Sequence, residues 1–145
     1  MLGSDLHDIF SDSQAVTATA ISNVIDLGEG NTTRDIGAGE PVYLVIVTEV
    51  TTASAGSTTV DFTLESDSTA NLATSATTHM TVAAVAKASL VAGYRVVAQA
   101  LPAGNYERYL GVRYTVNTAN FSAGAFSAFL TLKPQNYINY ADGIA

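Results

Sequence analysis

The sequence predicts an all-β fold, a single-domain β-sandwich of jelly-roll type with seven to eight strands. Apolar residues recur every second position rather than at helical spacing, and Gly, Pro, Asn and Ser interrupt them at short intervals. The third observation is size. A chain of 145 residues with 48% hydrophobic residues is one domain long and rich enough in apolar groups to build a core.

Residues 1–14 form a polar amino-terminal segment, in which Leu6, Ile9 and Phe10 have the spacing of one helical turn. The sandwich is predicted over residues 15–133. Its first strand candidate, 15–21, and a later one, 77–85, are rich in Thr, Val and Ala, which suit a half-buried pleated surface. Residues 43–49 are apolar on both faces through Val47, as expected of a strand covered twice, in mid-sheet or under a partner. Residues 59–65 alternate most clearly: Val60, Phe62 and Leu64 turn one way, Asp61, Thr63 and Glu65 the other. Residues 94–101 follow the same rule, as do 108–117 with Leu110, Val112, Tyr114 and Val116 on one side. Residues 125–133 place Phe126, Ala128, Leu130 and Leu132 inward. A short helix has room only within 83–92. Pro134 ends the last strand and opens a carboxy-terminal tail, 134–145. Tyr137, Ile138 and Tyr140 in that tail either pack back on the domain or serve a partner-binding arm.

Charge removes several function classes. Six Lys and Arg against 13 Asp and Glu give a net charge of −7, which suits neither a phosphate backbone nor an anionic bilayer. The chain has no Cys, so disulfides, thiolate metal sites and Cys nucleophiles are absent. No secretory leader or membrane-length apolar run is visible, and the expectation is a soluble protein made in the cytoplasm.

The residues for catalysis are few. His7 and His79 are the only imidazoles and stand in no ligand spacing. No nucleophile elbow, zinc-binding helix or phosphate loop is present, and Gly37-Ala38-Gly39 reads as a turn. Asp61 and Glu65 share a strand face but lie about 13 Å apart, beyond the roughly 5–9.5 Å of glycosidase pairs. Glu65 and Asp67 are closer, on a strand end and the turn after it. The expectation is no enzyme, no cofactor and no metal. Surface composition points instead to assembly: the outward strand positions carry Thr, Ser and Ala, and Lys87 and Lys133 are the only lysines.

Three strings then stand out in order: Asp35-Ile36-Gly37-Ala38-Gly39-Glu40-Pro41-Val42-Tyr43-Leu44, Leu90-Val91-Ala92-Gly93-Tyr94-Arg95-Val96, and Glu107-Arg108-Tyr109-Leu110-Gly111-Val112-Arg113-Tyr114-Thr115-Val116. With Ser13-Gln14-Ala15-Val16-Thr17 they resemble the capsid cement, or decoration, proteins of tailed bacteriophages, of the short jelly-roll type, over about residues 11–133. The resemblance implies a virion protein on the outer capsid surface that binds the expanded head across seams between major capsid protein subunits and stabilises it. It also implies self-association as a dimer or trimer. The interface candidates are Tyr43, Val45 and Val47 for self-association, with core burial as the competing explanation. For capsid contact they are Leu6, Ile9 and Phe10 and the tail residues Tyr137, Ile138 and Tyr140. Arg34, Arg95, Arg108 and Arg113 are candidates to anchor carboxylates. The alternative is a small binding module for carbohydrate or a host-surface receptor, with Tyr106 and Tyr109 as its platform.

Overall fold

The computed structural model describes residues 8–29, 36 and 39–134. It is a sandwich of two antiparallel sheets. In chain order the strands are β1 (Ile9–Ala15), β2 (Ala20–Ile21), β3 (Ile25–Asp26), β4 (Tyr43–Ala53), β5 (Thr59–Asp67), β6 (Thr77–Ala86), β7 (Arg95–Ala100), β8 (Tyr109–Asn117) and β9 (Ala123–Thr131). One sheet runs β1-β9-β4-β7, the other β2-β8-β5-β6, with β3 also on β8. This is the jelly-roll order. β2 and β3 both pair with β8, at Tyr114–Arg113 and Leu110–Tyr109, so they act as one interrupted strand and bring nine segments to eight positions.

The core lies between the sheets. Phe62, Tyr114 and Phe126 meet at its centre, with ring centroids 5.1–5.8 Å apart. Phe10, Leu44, Ile46, Leu64, Leu110, Val112 and Leu130 surround them. The Tyr114 hydroxyl is buried with its ring, 2.7 Å from Ser11 Oγ. Burial pushes its pKa up to about 12, against the smaller opposing effect of the Ser11 hydrogen bond.

Several expectations are corrected. The amino-terminal boundary at residue 15 is too late: Ile9–Ala15 is a strand, pairing Ile9 with Phe129 and Ala15 with Ala125. Ile9 and Phe10 therefore lie on opposite faces of a sheet rather than on one helical turn. The 15–21 strand is broken by a bend: Ala15 ends β1, and pairing resumes only at Ala20–Ile21. The helix allowed within 83–92 reduces to a three-residue 3-10 turn, Lys87–Ser89. Leu132 lies beyond the end of β9 and is 55% exposed, so it is not an inward residue.

The 43–49 reading holds in its mid-sheet form, because β4 sits between β9 and β7. Leu44 and Ile46 enter the inter-sheet core, and Val45 between them turns to the opposite face, yet it is 0% exposed. β9 behaves likewise, with Phe126, Ala128 and Leu130 in the core and Ser127 and Phe129 buried on the outer face.

Candidate functional site

The outer face of the four-stranded sheet collects several of the residues proposed from sequence. Ile9, Phe129, Val45 and Ala98 are paired in turn across β1, β9, β4 and β7, forming an apolar row. Tyr43 and Val47 flank this row and are half-buried. Val45 is fully buried and Phe10 points into the core, so neither offers surface to a partner, and both are corrected as contact residues. Leu6, Tyr137, Ile138 and Tyr140 lie outside the described residues, as do His7 and Arg34.

At one end of this sheet the structure adds a feature that sequence reasoning missed. The turn 90–94 docks along β4: Thr48 N–H donates to Tyr94 O, Gly93 N–H to Thr48 O, and Thr52 N–H to Leu90 O. A further bond runs from Ala92 N–H to Thr51 Oγ1. Gly93 has φ +86°, which lets the chain turn back into β7. The junction leaves Val50, Val91 and Tyr94 exposed by 47%, 47% and 41%, and Arg95 exposed beside them. Three of the four large apolar side chains exposed among the described residues are therefore gathered here. The string 90–96 carried part of the family resemblance, but nothing local in it shows that Val50 joins the same surface.

Part of the outer face of the other sheet is covered by the chain itself. Loop 68–76 folds back over β8, and Leu72 becomes 1% exposed against Gly111, where a built Cβ would come within 2.7 Å of Leu72 Cδ1. Arg113 holds the loop from below, donating from Nε to Glu65 Oε2 at 2.9 Å and from an Nη to Leu72 O at 2.7 Å. Asp67 gathers the loop's own donors: N–H groups of Thr69, Thr74 and Ser75 and the Ser68 hydroxyl. Burial pushes the Asp67 carboxyl up, but these donors outweigh it and hold it below the usual carboxylate value. Glu65 and Asp67, weighed from sequence as a close acidic pair, are thus occupied by Arg113 and by backbone.

A second cluster pins the loop between β7 and β8. Ser66 Oγ lies 2.7 Å from His79 Nε2 and accepts the Glu107 N–H, while the His79 ring stacks on Tyr106 at 4.1 Å. Thr77 Oγ1 donates to Glu107 Oε1, and the Tyr106 hydroxyl to Pro102 O. Burial lowers the His79 pKa, and the Glu107 charge partly restores it. The Ser–His contact has the length of a nucleophile–base pair, but Ser66 is 0% exposed and its oxygen already receives a backbone donor. The arrangement cross-links three segments. No signal in the sequence pairs residue 66 with residues 79 and 107.

Arg108 is also engaged. Arg108 forms a two-pronged pair with Asp26, binds Glu29 at 2.7 Å, and lies over the Tyr109 ring. Tyr106 and Tyr109 are thus both used within the chain and do not form an open aromatic platform. Among the described residues no group of three His, Asp or Glu side chains converges as a metal site would require.

With this geometry in place, comparison with known families has one clear result. A profile of the Bbp16 family matches residues 10–130, from the first strand to the end of the last. The chain belongs to the Bbp16 family. No curated protein matches it. The Bbp16 match begins at Phe10, which supports counting β1 as part of the shared domain.

Proposed function

We propose that this Bbp16-family protein is a structural virion component that binds the outer surface of the expanded phage head across seams between major capsid protein subunits and stabilises it. The observation that carries the reading is the exposed junction of Val50, Val91 and Tyr94 beside Arg95, a concentration of apolar surface on an otherwise polar, acidic molecule. The ordered resemblance to capsid cement proteins supplies the partner. The jelly-roll fold is compatible with it but does not select it, because the same fold serves unrelated functions.

Multiplicity suits modest contacts. A self-associating chain that touches several capsid subunits gains from effective concentration, so no single patch has to bind tightly. Preference for the expanded head follows if the seam exists only in that lattice, since a ligand shifts an equilibrium by its differential affinity for the two states.

The test is co-sedimentation with expanded heads that lack the protein, beside unexpanded shells. Saturation at a fixed ratio to the major capsid protein is expected on expanded heads alone. The double variant Val91→Ser/Tyr94→Ser is expected to bind about tenfold or more weakly, as loss of exposed anchors does at other interfaces. Absence of binding to either shell overturns the proposal.

A further inference from the structure

The loop joining β7 to β8 is anchored at both ends, where Leu101 N–H donates to Val42 O and Arg108 O accepts the Leu27 N–H. Between these anchors, among the described residues, its hydrogen bonds to other elements gather at one cluster. Glu107 N–H donates to Ser66 Oγ at 3.1 Å, and Thr77 Oγ1 donates to Glu107 Oε1 at 2.9 Å. The Tyr106 hydroxyl bonds within the loop, to Pro102 O, while its ring stacks on His79.

Counting hydrogens gives the direction of the Ser66–His79 bond. A serine hydroxyl has a single hydrogen and otherwise only acceptor lone pairs. Ser66 Oγ accepts the Glu107 N–H, and its other partner among the described residues is His79 Nε2 at 2.7 Å. Ser66 is 0% exposed, so water does not offer its hydrogen an alternative. That hydrogen therefore goes to Nε2, and the neutral ring carries its own proton on Nδ1. A second proton, on Nε2, reverses the bond. Ser66 Oγ then faces two donors, and its own hydrogen is left buried without an acceptor, which is costly.

We propose that His79 is a proton-operated latch: neutral, it holds the 101–108 loop against β5 and β6 through Ser66 and Tyr106, and protonated, it releases that loop. From the loop, Tyr106 presents its ring to the imidazole, and Glu107 supplies a charge that favours the imidazolium. On β5, Glu65 and Asp67 flank Ser66 but are held by Arg113 and by loop 68–76. β6 itself carries no charged side chain, and Arg108 is paired with Asp26 and Glu29. In the closed loop burial outweighs the Glu107 charge and resists the proton, whereas a released imidazole regains its ordinary affinity near 6.5. The proton thus binds the open arrangement better, and acid shifts the population toward it. A cleft of about 520 Å³ lies beside the loop, lined by Leu27, Glu29 and Ser68 together with Tyr106 and Glu107, so release opens this cleft. The latch is a property of the isolated chain and does not rest on the head-binding reading.

Two nuclear magnetic resonance measurements on the whole chain test the latch. The ring-nitrogen shifts of His79 are expected to show a protonated Nδ1 and a bare Nε2 at about pH 7.5. In hydrogen exchange, the Glu107 N–H is expected to be at least about tenfold less protected than the Val112 N–H, which is buried in mid-strand. Its protection factor is expected to fall at least about threefold more between about pH 7.5 and pH 5. His79→Gln, whose amide oxygen accepts from Ser66 but takes no proton, is expected to keep that protection constant over the same range. A neutral ring with its proton on Nε2 overturns the proposal, a result read from the unmodified chain alone. So does Glu107 protection that ignores pH, equals that of Val112, or falls as steeply in His79→Gln.

Discussion

The two outer faces of the sandwich each bury a patch of side chains, by different means. On the β1-β9-β4-β7 sheet burial falls on apolar side chains, Val45 and Phe129, set in a row that crosses all four strands. On the other sheet it falls on Glu65, Ser66 and Asp67, whose hydrogen-bonding needs are filled by Arg113, by His79 and the Glu107 N–H, and by the N–H groups of loop 68–76 respectively. An apolar face needs only contact. A polar face needs every donor matched, because an unmatched buried group costs more than its bond contributed. Burial on the first surface therefore makes no demand on matched donors and acceptors. The second is specific to its own loop.

The largest test of this contrast is Phe129→Ala, which is expected to cost about 3–5 kcal/mol, the range for buried Phe truncation. Urea denaturation measures it, and a loss near 1 kcal/mol would break the comparison by showing that the row is only loosely packed. Next comes Asp67→Ala. It strands the N–H groups of Thr69, Thr74 and Ser75 and is expected to cost about 2–4 kcal/mol. Hydrogen exchange should show faster exchange at those amides while β4 and β9 stay protected; uniform exchange throughout would mean that the loop and the sheets open as one unit. The Asp67 contribution is complete above the ordinary carboxylate value of 3.8 and is lost as pH falls through its lower folded value.

The smallest effect is at His79. Its folded pKa lies below the ordinary 6.5, so in the window between the two the unfolded chain binds the proton and the folded chain does not. Stability is therefore expected to be complete above about 6.5 and to fall as pH is lowered through that window. His79→Gln should flatten this slope in thermal melts taken across it. A slope unchanged in the variant would place the titrating group elsewhere.

Much of the framework is legible from local pattern. Residues 59–65 alternate because one face of β5 meets the core, and residues 43–49 do not because β4 is central. The alternation of β5 stops at Glu65, beyond which Ser66 and Asp67 are both buried, and no pattern in the strand itself announces the loops and side chains that cover its end. β1 was hidden by its polar residues: Ser11 is buried against Tyr114, a partner 103 positions away. The same distance in sequence hid the exposed junction, where Val50 meets a turn some 40 residues later. The apolar anchors could be named one by one, but only the strand order brings them to one surface.

The position of β9 has a consequence for how the protein comes into being. The last of the described strands, β9, is an inner strand of its sheet, lying between β1 and β4. During synthesis, the sheet that includes the earliest strand has no centre until residue 131 has left the ribosome. Until then β1 lacks its described partner and β4 shows one bare edge, so completion of this sheet waits for β9 and proceeds through long-range pairings, which are slow. A messenger cut short by even a dozen codons before residue 131 would yield not a smaller sandwich but a chain whose first and fourth strands have lost the strand between them.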